Sequence, residues 1–172
     1  MIFLGSLRTE VRAASWFAAL GEPLTEGDIA DARAYGDGLD AGHVASWPEA
    51  EALLKSPNAS LALWDRDEAL RKKLLAEAEA RYPERALWIS LSEFTTEAGD
   101  LVHGRAATAA ARMGGAAAAS IHVAAGAASQ AVYQLAVARL AGNDTSPFES
   151  KFRLFAAGRW PLGVSGTRLV LF

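Results

Sequence analysis

The chain has 172 residues, a mass of 18.2 kDa and 51% hydrophobic residues, with 20 acids set against 17 lysines and arginines. A chain of this length can bury about 70% of its unfolded surface, enough for one core without disulfide, metal or partner, so a single domain over residues 1–172 is expected. A net charge of −3 lacks the basic face of nucleic-acid binders, and the absence of cysteine removes thiol catalysis, thiolate metal sites and disulfide scaffolds.

The start, Met1 to Leu7, is apolar, but Arg8, Glu10 and Arg12 interrupt it before a leader's apolar segment can form, so mature protein is expected there. Segments Leu7–Leu20 and Thr25–Ala34 read as helices, the second weakened by Gly27, Gly36 and Gly38. Four helix starts carry a cap residue with an acid three positions on: Thr25 with Asp28, Ser46 with Glu49, Asp65 with Glu68, and Ser146 with Glu149. Gly36, Gly38 and Gly42 approximate a dinucleotide-binding loop, but such a loop must follow a strand, whereas these glycines follow a helix and read as a connection. From Arg66 to Tyr82, Leu70, Leu74, Ala78 and Tyr82 make one stripe, flanked by the four-residue pairs Glu68–Lys72 and Glu77–Arg81. Ala86–Leu91 fits either a strand or a helix entry.

Residues 105–141 hold 17 alanines in 37 positions, divided by Gly114-Gly115 into two helices expected to pack antiparallel. In the second, Ile121, Val132, Tyr133, Leu135, Val137 and Leu140 cover most of a helical wheel, so Ser120–Ala141 is expected at the centre of the core. The uncharged run Met113–Ala138 is mostly Ala and Gly, too weakly apolar for a membrane span. Pro147 suits the first position of a helix running to about Ala157 and stopping at Gly158, with Phe148, Phe152 and Phe155 on one face. Two apolar runs around Ser165-Gly166 predict a terminal hairpin, with Ile2-Phe3-Leu4 as a third strand and Pro161 at an edge or strand start. The fold class is therefore mainly α, a compact helical domain with a small sheet or hairpin formed by the chain ends.

Chemistry is harder to find. No Walker sequence occurs, and Gly163–Thr167 lacks the second glycine of a nucleophile elbow. Glu93, Glu97, Asp100 and His103 share one arc at bundle-metal spacing, but they lie opposite Phe94, Leu101 and Val102 and read as a solvated acidic face, so no metal or other cofactor is expected. Arg105 and Arg112 fall at about 20° and 0° on a wheel counted from Phe94, on the core-facing stripe, where they need acids such as Glu149 or Asp144, or a bound anion. His122, Gln130 and Gln134 interrupt the apolar helix as satisfied polar groups or a ligand rim. Five tryptophans, Trp16, Trp47, Trp64, Trp88 and Trp160, are ample for one domain; most are expected as core or inter-helix fillers, and an exposed one beside an alanine-rich surface marks an interface.

Two functions fit. The first is a non-enzymatic interaction or assembly protein with a protein partner or itself. The alternative is a binding protein or enzyme for a small anion, held by Arg105 and Arg112 with His122 or His103 as proton carrier. Nucleic acid and membrane are not expected as partners. The alanine-rich composition suggests a bacterial source, and a cytoplasmic location is expected.

Overall fold

The computed structural model describes residues 4–56, 62–113 and 115–172, and of Ala62 and residues 115–119 only the backbone. Seven helices and three strands occupy the described residues in the order α1 (Gly5–Ala13), α2 (Glu26–Tyr35), β1 (Asp40–His43), α3 (Trp47–Leu54), α4 (Ala62–Arg81), α5 (Glu84–Met113), α6 (Gly115–Leu140), α7 (Pro147–Ala156), β2 (Pro161–Ser165) and β3 (Arg168–Leu171). The chain is mainly α, as its composition and periodicities predict.

The two longest helices pack along each other more extensively than any other pair of elements and form a hairpin. Of the expected Gly-Gly divider, Gly115 opens α6, and Gly114 lies outside the described residues. The second arm is the centre of the core: Ile121, Val132, Leu135 and Val137 are fully buried, Leu140 nearly so, and Tyr133 is half-buried. Alanine makes this possible, because Ala124, Ala125, Ala128, Ala131, Ala136 and Ala138 are buried too, and small side chains let neighbouring backbones close in from several sides. Phe148, Phe152 and Phe155 of α7 complete the same core. No helix among the described residues is long and apolar enough to cross a membrane. Ala86–Leu91 belongs to α5, whose buried Leu87, Ser90, Leu91 and Phe94 keep a helical spacing.

Helix starts are only partly as expected. Thr25 and Asp28 form the full reciprocal box, Thr25 Oγ1 accepting from the Asp28 N–H at 3.1 Å and Asp28 Oδ2 from the Thr25 N–H at 2.8 Å. Ser46 and Ser146 stand at N-caps without a side-chain capping bond, and their paired acids are engaged elsewhere: Glu49 accepts from the Ala45 N–H at 3.0 Å, and Glu149 binds Arg139 at 3.1 Å. Asp65 lies inside the first turn of α4, which begins three residues earlier. On the same helix Glu68 meets Lys72 at 3.8 Å and Arg71 more closely, at 2.5 Å, while Glu77 and Arg81 form no bridge.

Instead of reaching Leu20, the first helix ends at Ala13. The chain there turns back on itself: the Trp16 indole donates to the Val11 carbonyl at 2.9 Å, the Ser15 N–H donates to the Ala156 carbonyl at 2.7 Å, and Phe17 adopts φ 58°. This loop rests on Gly158, whose φ of 91° ends α7 where the sequence predicts. Arg159 then fastens it from below. Only 3% exposed, its guanidinium meets Asp28 Oδ2 at 2.9 Å and donates to the carbonyls of Ala19 and Pro23 at 2.7 Å each, so the charge is paired and one side chain ties the loop's carbonyls together.

The sheet has the order β1-β3-β2. Strands β2 and β3 form the expected antiparallel hairpin, with Gly166-Thr167 as its turn, one residue later than the sequence suggests, and Pro161 opening the edge strand. The third strand is a correction. Ile2 and Phe3 lie outside the described residues and Leu4 leads into α1; β1 instead pairs parallel to β3, Asp40 opposite Arg168 and His43 opposite Leu171. Gly42 permits this closeness, since a Cβ there would sit 3.2 Å from Val170 Cγ2.

Candidate functional site

Arg105 and Arg112 are exposed and do not face the core. A fixed wheel misplaces them because the buried residues of α5, Phe94, Ala98, Val102 and Ala106, step by four, and each such step turns the buried stripe by about 40°. By Ala106 the stripe has rotated about 120° from Phe94, and the arginines are left on its solvent side. Neither reaches Glu149 or Asp144. Glu149 belongs to Arg139, which also takes Glu10 through two bonds of 2.7 and 2.8 Å. Among the described residues Arg105 and Arg112 have no ion pair or hydrogen bond at all.

The fold nevertheless brings both to one place. They line a cleft of about 300 Å³ between the exposed side of α5 and the loop that follows α1, closed on the far side by Arg12 and by residues 13–18. Ala13, Ala14, Ala18 and Ala109 keep the space open, and the Ser15 and Thr108 hydroxyls border it. Thr108 donates its proton to the Gly104 carbonyl at 3.1 Å, which leaves its oxygen as an acceptor. Phe17, buried and left-handed, holds the loop's course at the cleft wall; a non-glycine residue in this region is strained by about 1–2 kcal/mol.

The charge is lopsided. Arg12 is ion-paired with Glu97, which also accepts from Arg8 Nε at 3.1 Å, and the Arg12 hydrogen bond holds the Glu97 carboxyl below the usual carboxylate range. Glu97 stands outside the cleft, against Arg8 and Arg12, so the cleft itself is lined by Arg12, Arg105 and Arg112 and by no acid, on a chain whose net charge is −3. Guanidinium forks converging on a concave surface suit bidentate binding of phosphate or carboxylate oxygens.

His122 is exposed on α6 and His103 on α5, and neither lines this cleft. Glu93, Asp100 and His103 are exposed, whereas half-buried Glu97 is drawn off by the two arginines of α1; among the described residues no three His, Asp or Glu gather as a metal ion would require. Gln130 is exposed. Gln134 is buried and accepts from Lys151 Nζ at 2.9 Å. That lysine also binds Asp67, with Tyr35 donating to the same carboxylate, a group of partners to which no spacing in the sequence points. Burial pushes the Tyr35 hydroxyl far above the usual tyrosine range, assisted by Asp67, and pushes the Lys151 amine down, with Asp67 opposing. Trp16 and Trp160 are buried, while Trp64 and Trp88 are exposed.

The loop 13–18 is absent from the sequence-based candidates because those residues read as a helix continuing to Leu20, and Arg12 because no local pattern joins it to α5. Compared with known proteins, the chain matches no family model, no curated protein and no solved structure.

Proposed function

We propose that this chain binds a small multiply charged anion, a phosphate ester or a di- or tricarboxylate, in the cleft between α5 and the loop after α1. The observation that carries this reading is the meeting of Arg105 and Arg112, both without partners among the described residues, with Arg12 around one concave space. Like charges gathered this way repel one another, and an anion of matching charge relieves the repulsion. The sequence-based proton carriers His103 and His122 stand outside the cleft, so the reading is one of binding rather than catalysis. A bacterial source, suggested by composition, and a cytoplasmic location belong to the same proposal.

The test is thermal unfolding with inorganic phosphate, pyrophosphate, citrate and sugar phosphates at fixed ionic strength. An anion at a hundred times its Kd adds about 2.7 kcal/mol, a rise of roughly 5–10 °C for a domain of this size. The Arg105→Gln/Arg112→Gln double variant, altered only at exposed positions, is expected to fold normally and lose that rise. Equal stabilisation of variant and parent, or no response to any anion, overturns the proposal.

A second reading, a protein-interaction or self-assembly surface, is favoured by Trp88 and Ile89, adjacent on α5 and 42% and 47% exposed.

A further inference from the structure

A second cleft, of about 270 Å³, opens between the start of α4, α7 and the sheet. Leu63 and Trp64 of α4, Phe155 of α7 and Leu162 of β2 give it apolar walls. Trp64 stands on its rim 64% exposed, more than any other large hydrophobic residue described, although an indole this open gains nothing from the core.

The base is polar, and its charges do not cancel. Asp67, 1% exposed, receives Arg66 Nη2 on Oδ1 at 2.8 Å, and on Oδ2 both the Tyr35 hydroxyl at 2.8 Å and Lys151 Nζ at 2.7 Å. One carboxylate therefore answers two cations. Arg66 also donates from Nε to Oδ1 at 3.3 Å and from Nη1 to the Tyr35 carbonyl at 2.8 Å. Lys151 has three N–H groups; Asp67 and Gln134 take two, and the third has no hydrogen-bond acceptor among the described residues, only the face of the Tyr35 ring with its centroid 5.4 Å from Nζ. Its side chain is only 13% exposed, so water serves it poorly. The charged group at the foot of the apolar cleft thus holds two cations to one carboxylate, Arg66 standing outside the lining, and one lysine N–H without a hydrogen-bond acceptor among the described residues.

We propose that this cleft is a second binding site, for a hydrophobic monocarboxylate of the aryl- or alkyl-carboxylic acid class. The carboxylate accepts from Lys151 Nζ, and the apolar body lies against Trp64 and Phe155. A single negative charge balances the base, whereas a phosphate dianion overshoots it and a neutral molecule leaves Lys151 unanswered. An apolar wall with a few convergent polar groups at its foot is the usual build of a small-molecule site, and a carboxylate beside the lysine favours its ammonium form against the burial that pushes the amine down.

The decisive experiment is a titration of the ¹⁵N-labelled full chain with phenylacetate and octanoate, with 2-phenylethanol as the uncharged control. The Trp64 indole N–H signal is identified by its loss in Trp64→Ala, a substitution at an exposed position that leaves the core untouched. Both acids are expected to shift this signal and the alcohol to leave it in place at equal concentration. By calorimetry Trp64→Ala is expected to bind the acids at least tenfold more weakly, and the Arg105→Gln/Arg112→Gln variant to bind them as the parent does. A silent Trp64 signal, binding of the alcohol as tightly as the acid, or full affinity in Trp64→Ala overturns the proposal. So does loss of acid binding in the double arginine variant, which places the carboxylate in the other cleft. Failure of the phosphate and citrate screen leaves this result standing, so the two sites are judged separately.

Discussion

Glu97 divides its oxygens between Arg8 and Arg12, and that division decides how much of Arg12 the arginine cleft can use. Because the Arg12 hydrogen bond lowers its carboxyl below the ordinary value of 4.5, Glu97 contributes stability that is complete above about pH 4.5 and is lost as pH falls through the lower folded value. Its partners are largely solvated, so the contribution is small. Its effect on the cleft is larger in consequence: Glu97→Gln removes the competitor for Arg12 and is expected to tighten anion binding by roughly two- to fivefold, the scale of one exposed ion pair. The same variant flattens the acid side of the stability profile. Calorimetric titration with the best anion of the screen checks the first, thermal melts between pH 3 and 6 the second, and unchanged affinity shows that Glu97 and the ligand do not compete. Residue-level detail of this kind was the least legible in the sequence. Arg12 stood out only as an interruption of an apolar start, and the pairing of Arg159 with Asp28 joins positions that no local pattern connects.

Elements were legible where a local rule fixes them. The box of Thr25 and Asp28, the proline that opens α7 and the glycine that stops it all act within a few residues, and each is where the sequence puts it. Asp40-Ala41-Gly42-His43 carries neither β-branched residues nor alternation; it is a strand because Arg168–Leu171 lies beside it, a cause no local window contains. The end of α1 escaped for a like reason, since what halts it is the contact with Ala156 and Gly158 far along the chain. Gly158 therefore supports two elements at once. A Cβ there would lie 2.7 Å from the Ala19 nitrogen and 2.9 Å from the Ser15 oxygen, both backbone atoms, at a φ of 91° that side chains resist. Gly158→Ala is expected to destabilise by more than about 2 kcal/mol, a fall in Tm of at least roughly 4 °C, and to weaken the anion response because the displaced loop lines that cleft. Gly126→Ala, mid-helix with open space around it, is the control and should raise stability by about 0.5–1 kcal/mol.

For the molecule as a whole, the central place of α6 was readable because apolar groups surround its axis, and Leu135 and Val137 are buried as that distribution demands. The exposed apolar residues form no single face: Trp88 and Ile89 lie near the start of α5, and Val123 lies near the start of α6, at the other end of the hairpin. The assembly reading therefore rests on the Trp88 end, and under it light scattering gives a mass at least twice 18.2 kDa that Trp88→Glu returns to one chain. A strict monomer over a wide concentration range removes self-assembly. The order of the sheet has a further consequence, for the chain while it is being made. With β3 between its two neighbours, neither β1 nor β2 has a companion until residues 168–171 leave the ribosome. At 5–20 residues per second, β1 waits about 6–25 s for its mate, its backbone amides open throughout to water, to chaperones or to other nascent chains. Gly42 and the charged Asp40 make that waiting segment a poor template for stray pairing.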